Sequence, residues 1–164
     1  MATAMTIPAF VPGFKTSFSS TTRLGTYMFD DYGRVYRVVF NNAAAALAIG
    51  YACTWDYATA SNVGTMVKKP TTATLDRFAG ISMGTVADQA EGMIMVKGYH
   101  DWVYLLGTTD IAAADSLKVV DGQWYMIQDQ ATGTAATYKK TAYALEAHTT
   151  DTTPAYKKAC VDAF

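Results

Sequence analysis

The chain has 164 residues and a net charge of −1, with 51% hydrophobic and only 16% charged side chains. So much apolar character with so little charge excludes a disordered protein. The balanced charge excludes nucleic-acid binding by phosphate neutralisation, which brings a basic excess. The length fits one domain, with room for an arm or small second lobe, and buries about two thirds of its unfolded surface on folding.

Small residues, hydroxyls and tyrosines fill the place of charge: 27 Ala, 23 Thr and 11 Tyr. A surface meant to stay bare in water carries more Lys and Glu. Interfaces are enriched in Tyr, Trp, Phe and Met and depleted in Lys and Glu. The composition therefore predicts a surface covered by protein; the plainer alternative is a weakly charged monomeric β-domain. Cys53 and Cys160 cannot build a disulfide framework and fit no metal or redox spacing, so they read as small buried residues, consistent with a reducing compartment. No signal-peptide pattern is read at the start, where Pro8 and Pro12 interrupt the chain. No stretch reaches the roughly 18 apolar residues of a membrane span.

Residues 1–26 are expected to form an extended N-terminal arm. Phe10, Phe14 and Phe18 recur every fourth residue, but Pro12 and Gly13 argue against a helix. Lys15 and Arg23 are its only charges. Such a segment is suited to lie on another surface, or to pack back on its own domain.

From residue 27 onward a β-rich domain is expected, extending to 164. The pattern becomes period two: TYMF, then a DDYG turn, then RVYRVVF. The alanine run 43–46 reads as a short helical turn or loop ended by Gly50. YACTWDY (51–57) alternates as a strand. Further short strands are expected at 77–84, 92–99, 101–107, 116–122, 123–129 and 138–147, at the spacing of sandwiches and barrels. Asp121-Gly122 predicts a tight hairpin, and Thr153-Pro154 predicts the start of a short C-terminal helix. The fold class is mainly β: a small sandwich or barrel with an N-terminal arm and a short C-terminal helix. The segment around AALAIG is echoed by the one around DIAAAD, which alanine-rich composition alone can produce.

Catalytic chemistry finds little support. His100 and Asp101 are neighbours on a strand and point to opposite faces, so they do not make a base and its orienter. A pairing of Cys53 or Cys160 with His100 or His148 has no local signature. Asp110, Asp115 and Asp121 could suggest a metal or acid/base site, but each occupies a turn position where a carboxylate bonds its own backbone. Asp30-Asp31-Tyr32-Gly33 is also a turn and lacks the EF-hand pattern. Trp55, Trp102 and Trp124 lie in alternating strands and are expected in the core, as are Met93, Met95 and Met126. No catalytic, metal or cofactor residues are expected, and no enzyme activity.

Over residues 77–147 the chain resembles the decoration (cement) proteins of tailed bacteriophages. The motifs are Ala79-Gly80-Ile81, then Gly92 with Ile94, Val96 and Gly98, then Ile111 through Leu117, and Val119 through Gly122. KKTAYALEAHTTD resembles the closing strand of that group, and residues 30–52 resemble virion structural proteins. Together these cover about 40–75% of the chain and encode turn geometry more than chemistry. The group often has Gly where this chain has Ala114, so the turn there is expected to differ if it needs positive φ. The arm is not covered.

The resemblance implies a non-enzymatic, β-rich protein on the outer surface of the virion capsid. It would bind across junctions between major capsid protein subunits as a homo-oligomer, a trimer being favoured over a dimer, without direct contact to nucleic acid or membrane. The contacts to capsid or to a neighbouring copy are then expected from Pro8, Phe10, Pro12, Phe14, Lys15, Phe18 and Arg23. The alternative is a carbohydrate- or host-surface-binding β module on the virion, with Tyr and Trp residues as its platform.

Overall fold

The structure is a computed structural model that describes residues 24–58, 62, 64–107, 110–129, 141–149 and 152–163. Its ten strands are β1 (Tyr27–Phe29), β2 (Val35–Asn41), β3 (Ala52–Trp55), β4 (Met66–Lys68), β5 (Phe78–Ser82), β6 (Glu91–Leu105), β7 (Ser116–Val119), β8 (Met126–Gln128), β9 (Ala142–Ala144) and β10 (Ala155–Asp162). There is no α-helix among the described residues. β1 and β2 form the expected hairpin, with Tyr27 opposite Arg37 and Phe29 opposite Val35. At its turn the Asp30 carboxylate accepts the backbone N–H groups of Tyr32 and Arg34, each at 3.0 Å. That is the local bond for which Asp is favoured in turns.

The strands close on themselves. β2, β4, β3, β5 and β6 form a five-stranded barrel, completed by the antiparallel pairing of β6 with β2. A second circuit runs β6, β10, β9, β7, β8 and returns to β6 through the single parallel pairing of Leu105 with Met126. The architecture is a barrel rather than a sandwich, with additional strands built onto it. In both circuits the first strand is parallel to the third and antiparallel to the fifth, and the second pairs with the third and fourth. β6 is the last strand of one and the first of the other.

The alanine echo therefore has a structural counterpart. Leu47 bridges Val86 in the first circuit as Ile111 bridges His148 in the second. Gly50 N–H donates to Ser82 O at 2.8 Å, and Ala114 N–H donates to Ala144 O at 2.8 Å. Gly50 has φ +82° and Ala114 φ +75°. The Ala114 turn thus keeps the left-handed backbone and does not depart from it.

Several expectations are corrected. The tail 155–162 is a strand, not a helix. Its exposure alternates with period two, Ala159 and Val161 being buried while Lys158 and Asp162 are exposed. Antiparallel pairing with β6 on one side and β9 on the other fixes it, so tertiary pairing overrides the Pro start signal. Residues 92–99 and 101–107 are not two strands but parts of the 15-residue β6. Gly98, at φ +116°, lets Arg34 approach closely: a Cβ there would stand 2.8 Å from Arg34 Cγ. It marks a close approach inside the strand.

The Asp121-Gly122 turn exists, with Gln123 N–H bonded to Val120 O at 3.1 Å. The strand resumes only at Met126, because the intervening loop bonds outward, Gly122 N–H to Pro70 O and Trp124 O from Ala52 N–H. Residues 1–23 lie outside the described residues. Of the segment read as an arm, the described part already belongs to the hairpin: Gly25 N–H bonds Val38 O at 2.8 Å and Val38 N–H bonds Thr26 O at 3.0 Å.

Two hydrophobic clusters fill the molecule. The smaller gathers Val35, Val39, Leu47, Cys53, Val67 and Ile94 within the first barrel's strands. The larger spans both circuits and includes Met93, Met95 and Met126, buried as expected. The alanine run is a loop held by Asn41, which is fully buried; its Nδ2 donates to Ala45 O, Val86 O and Ala87 O, and its Oδ1 accepts Ala43 N–H.

Candidate functional site

The sequence-predicted contact residues Pro8, Phe10, Pro12, Phe14, Lys15, Phe18 and Arg23 all lie outside the described residues. Within the described part, the most distinctive surface is a strip of aromatic rings where the two circuits meet. Tyr104 on β6 stands directly opposite Tyr156 on β10, and their ring centroids are 5.1 Å apart. Tyr51, just before β3, follows at 5.4 Å from Tyr104. Trp124, in the β7–β8 loop, stacks on Tyr51 at 5.3 Å with the planes only 14° apart. Lys69 Nζ lies 5.5 Å from the centre of the Trp124 ring.

The β6–β10 ladder joins the segments of Tyr104 and Tyr156, and two further backbone bonds tie in those of Tyr51 and Trp124. Tyr104 N–H donates to Gly50 O at 3.0 Å, and Ala52 N–H donates to Trp124 O at 2.9 Å. The approach requires Gly50: a Cβ there would sit 2.0 Å from Trp102 O and 3.0 Å from Tyr156 Cε1. The strip is therefore held in place by main chain.

Trp102 joins the same outward side. Lys157 pairs with Val103 while Ala159 pairs with His100, so β6 carries one extra residue here. Such a bulge reverses the inside–outside alternation. His100 and Val103 are both buried, and Asp101 and Trp102 are both exposed, Trp102 at 44%. Trp102 is therefore exposed and not in the core as expected, because the bulge turns it to the side opposite His100. Trp55 and Trp124 are half-buried against the smaller cluster, nearer to expectation.

Among the described residues, no hydrogen bond engages the hydroxyls of Tyr51, Tyr104 and Tyr156 or the indole N–H groups of Trp102 and Trp124. Burial raises the Tyr156 phenol pKa above its ordinary value, and the neighbouring Tyr51 and Tyr104 phenols add to the effect.

The groups that could do acid–base or nucleophilic chemistry are dispersed or committed elsewhere. His100 is buried, and its Nδ1 accepts Trp102 N–H at 3.0 Å. Burial pushes its pKa down to about 4, against an opposing backbone interaction with Ser82 and the charge of Asp101. Asp101 faces the other way and accepts the Tyr99 hydroxyl at 2.5 Å. His148 is buried beside its backbone bridge to Ile111. Cys53 is fully buried with its thiol pushed up to about 12 by desolvation, a poor nucleophile; Cys160 is half-buried and also unbridged.

The turn reading of the carboxylates holds for Asp115, which accepts Ala112 N–H at 2.7 Å and Gln128 Nε2–H at 2.5 Å. Asp110 and Asp121 are exposed. Among the described residues no three His, Cys, Asp or Glu side chains come together as a metal site. An aliphatic cleft of about 210 Å³ opens between Leu75, Val119, Val120 and Ile127. Thr141, which also lines it, has its hydroxyl committed to Leu117 O at 2.6 Å. No family model matches this chain, and no curated protein matches it.

Proposed function

We propose that this protein is a non-enzymatic decoration protein of a tailed-bacteriophage head. It binds the outer capsid surface across junctions between major capsid protein subunits and stabilises the shell, as a homo-oligomer, with a trimer favoured. The observation that carries the reading is the run of turn motifs between Ala79 and Gly122. The low charge supports it, as do the exposed aromatic side chains Tyr27, Phe29, Tyr32 and Tyr57, the residue types that interfaces concentrate. A protein that binds the assembled lattice more tightly than the loose subunits shifts the equilibrium toward the assembled shell.

The test is co-sedimentation of the purified chain with intact heads, together with its mass in solution. Removal of residues 1–23 leaves Leu24 and the hairpin bonds of Gly25 in place. The shortened chain is expected to fold, to keep its melting temperature within a few degrees, and to lose head binding. Wild-type affinity in the shortened chain would refute the role given to Pro8, Phe10, Pro12, Phe14, Lys15, Phe18 and Arg23. Failure of the full chain to sediment with heads would refute the capsid reading itself.

A further inference from the structure

We infer that the strip formed by Trp124, Tyr51, Tyr104 and Tyr156, with Trp102 beside it, is a binding platform for an extended neutral oligosaccharide. Three features select that ligand class. First, the strip offers five neutral polar groups, three phenols and two indole N–H, none of them hydrogen-bonded to any described residue. A ligand that satisfies them must bring many neutral acceptors and donors, which the hydroxyls of a sugar chain supply. Second, the exposed side chains of Trp102 and Tyr156 present apolar ring surface beside their polar tips, the combination that suits Tyr and Trp to half-wet contacts. A pyranose ring has matching C–H faces and hydroxyl edges. Third, the four rings follow one another at 5.1–5.4 Å. They form a row and not a single pocket, so the fitting ligand has several linked units.

The platform is also prepared in advance. The bonds of Tyr104 to Gly50 and of Ala52 to Trp124, with the ladder pairing of Tyr104 and Tyr156, fix its four segments, so little ordering remains to be done on binding. The β6 bulge turns outward a Trp that strict alternation would bury. Nothing in this argument depends on where the protein sits, so it stands apart from the capsid reading.

The test is an array of neutral oligosaccharides of four to eight hexose, deoxyhexose and N-acetylhexosamine units, followed by titration of the best-retained hexasaccharide against tryptophan fluorescence. Saturable binding is expected. Trp102→Ala and Tyr156→Ala should each weaken it at least tenfold, and Tyr156→Phe, which removes only the hydroxyl, should weaken it less. Phe29→Ala, at the β1–β2 hairpin, should leave it unchanged. These side chains are exposed, so the melting temperature should hold and report intact folding. Absence of saccharide binding overturns the inference, as does binding that survives Trp102→Ala and Tyr156→Ala. If those two variants lose heads while no saccharide binds, the strip is a protein interface and the inference also fails. Saccharide binding by a chain that ignores heads would overturn the capsid reading alone.

Discussion

Gly50 and Ala114 occupy equivalent positions in the two circuits, with φ +82° and +75°, and substitutions there are expected to act with opposite sign. Gly50→Ala places a methyl 2.0 Å from Trp102 O, an overlap that only movement of the loop can relieve. The left-handed backbone costs an L-residue about 1–2 kcal/mol. Moving the loop also weakens the bond from Tyr104 N–H to Gly50 O, and a buried donor left unpaired costs about 1–3 kcal/mol. The expected destabilisation is about 2–5 kcal/mol, roughly a 10 °C fall in melting temperature for a chain of this size. Ala114 is exposed and already bears the left-handed conformation. Ala114→Gly relieves about 1–2 kcal/mol, offset by about 0.4–1 kcal/mol for the freer unfolded chain. A net gain of about 0.5–1 kcal/mol is expected.

Urea unfolding followed by tryptophan fluorescence, with thermal melts alongside, measures both. Gly50→Ala should also change the fluorescence of the folded state, because Tyr51 and Trp124 move with the loop. Small, equal losses from both substitutions, or a Gly50→Ala protein within about 1 kcal/mol of wild type, would refute the close-approach argument.

Two further predictions concern charge. His100 has its pKa lowered from 6.5 to about 4 by burial, so the unfolded chain binds the extra proton between those values; stability from this group is complete above pH 6.5 and is lost as pH falls to about 4, about 3 kcal/mol in all. Urea midpoints at pH 7, 5.5 and 4 check this, and the slope should flatten in His100→Gln. At Asp30, burial raises the pKa, but hydrogen bonds from Arg34, Tyr36 and Tyr32 outweigh it and hold the carboxyl below its ordinary value; its contribution is therefore lost only below about pH 4, apart from the His100 window. Asp30→Ala removes the partner of Arg34 Nε at 2.5 Å and of the Tyr36 hydroxyl at 2.9 Å, and calorimetry should show a loss of about 3 kcal/mol.

What could be read from the sequence was whatever local chemistry decides. The Asp30–Gly33 turn, the YACTWDY alternation and the Asp115 turn need only neighbours in the chain. The methionine core follows from side-chain character. What escaped was decided by pairing across the chain. Thr153-Pro154 carries a helix-start signal, yet β6 and β9 claim the following residues. The strands expected at 92–99 and 101–107 run together as β6, whose pairing with β2 and β10 carries it across the expected gap. The repeat was visible only as alanine-rich likeness, because equivalent positions keep backbone conformation and bonding rather than side chains, as Gly50 and Ala114 show.

The aromatic strip draws on four separate segments and on a bulge. No spacing rule brings Tyr51, Tyr104, Trp124 and Tyr156 together, and the bulge overturns the parity that would predict the side taken by Trp102.

The shared strand β6 has a consequence for how the molecule comes apart. A chain with two separate barrels could open one and keep the other. Here, peeling β6 from β10 to open the second circuit exposes the strand that also completes the first, so both are expected to melt in one transition. Most of the pairs that must form join distant parts of the chain, such as Val35 with Lys97 and Ala155 with Leu105. Folding through such non-local contacts is slow. The same interdependence means that thermal fluctuations rarely release a single strand of either circuit, which leaves proteases few partial openings within these strands.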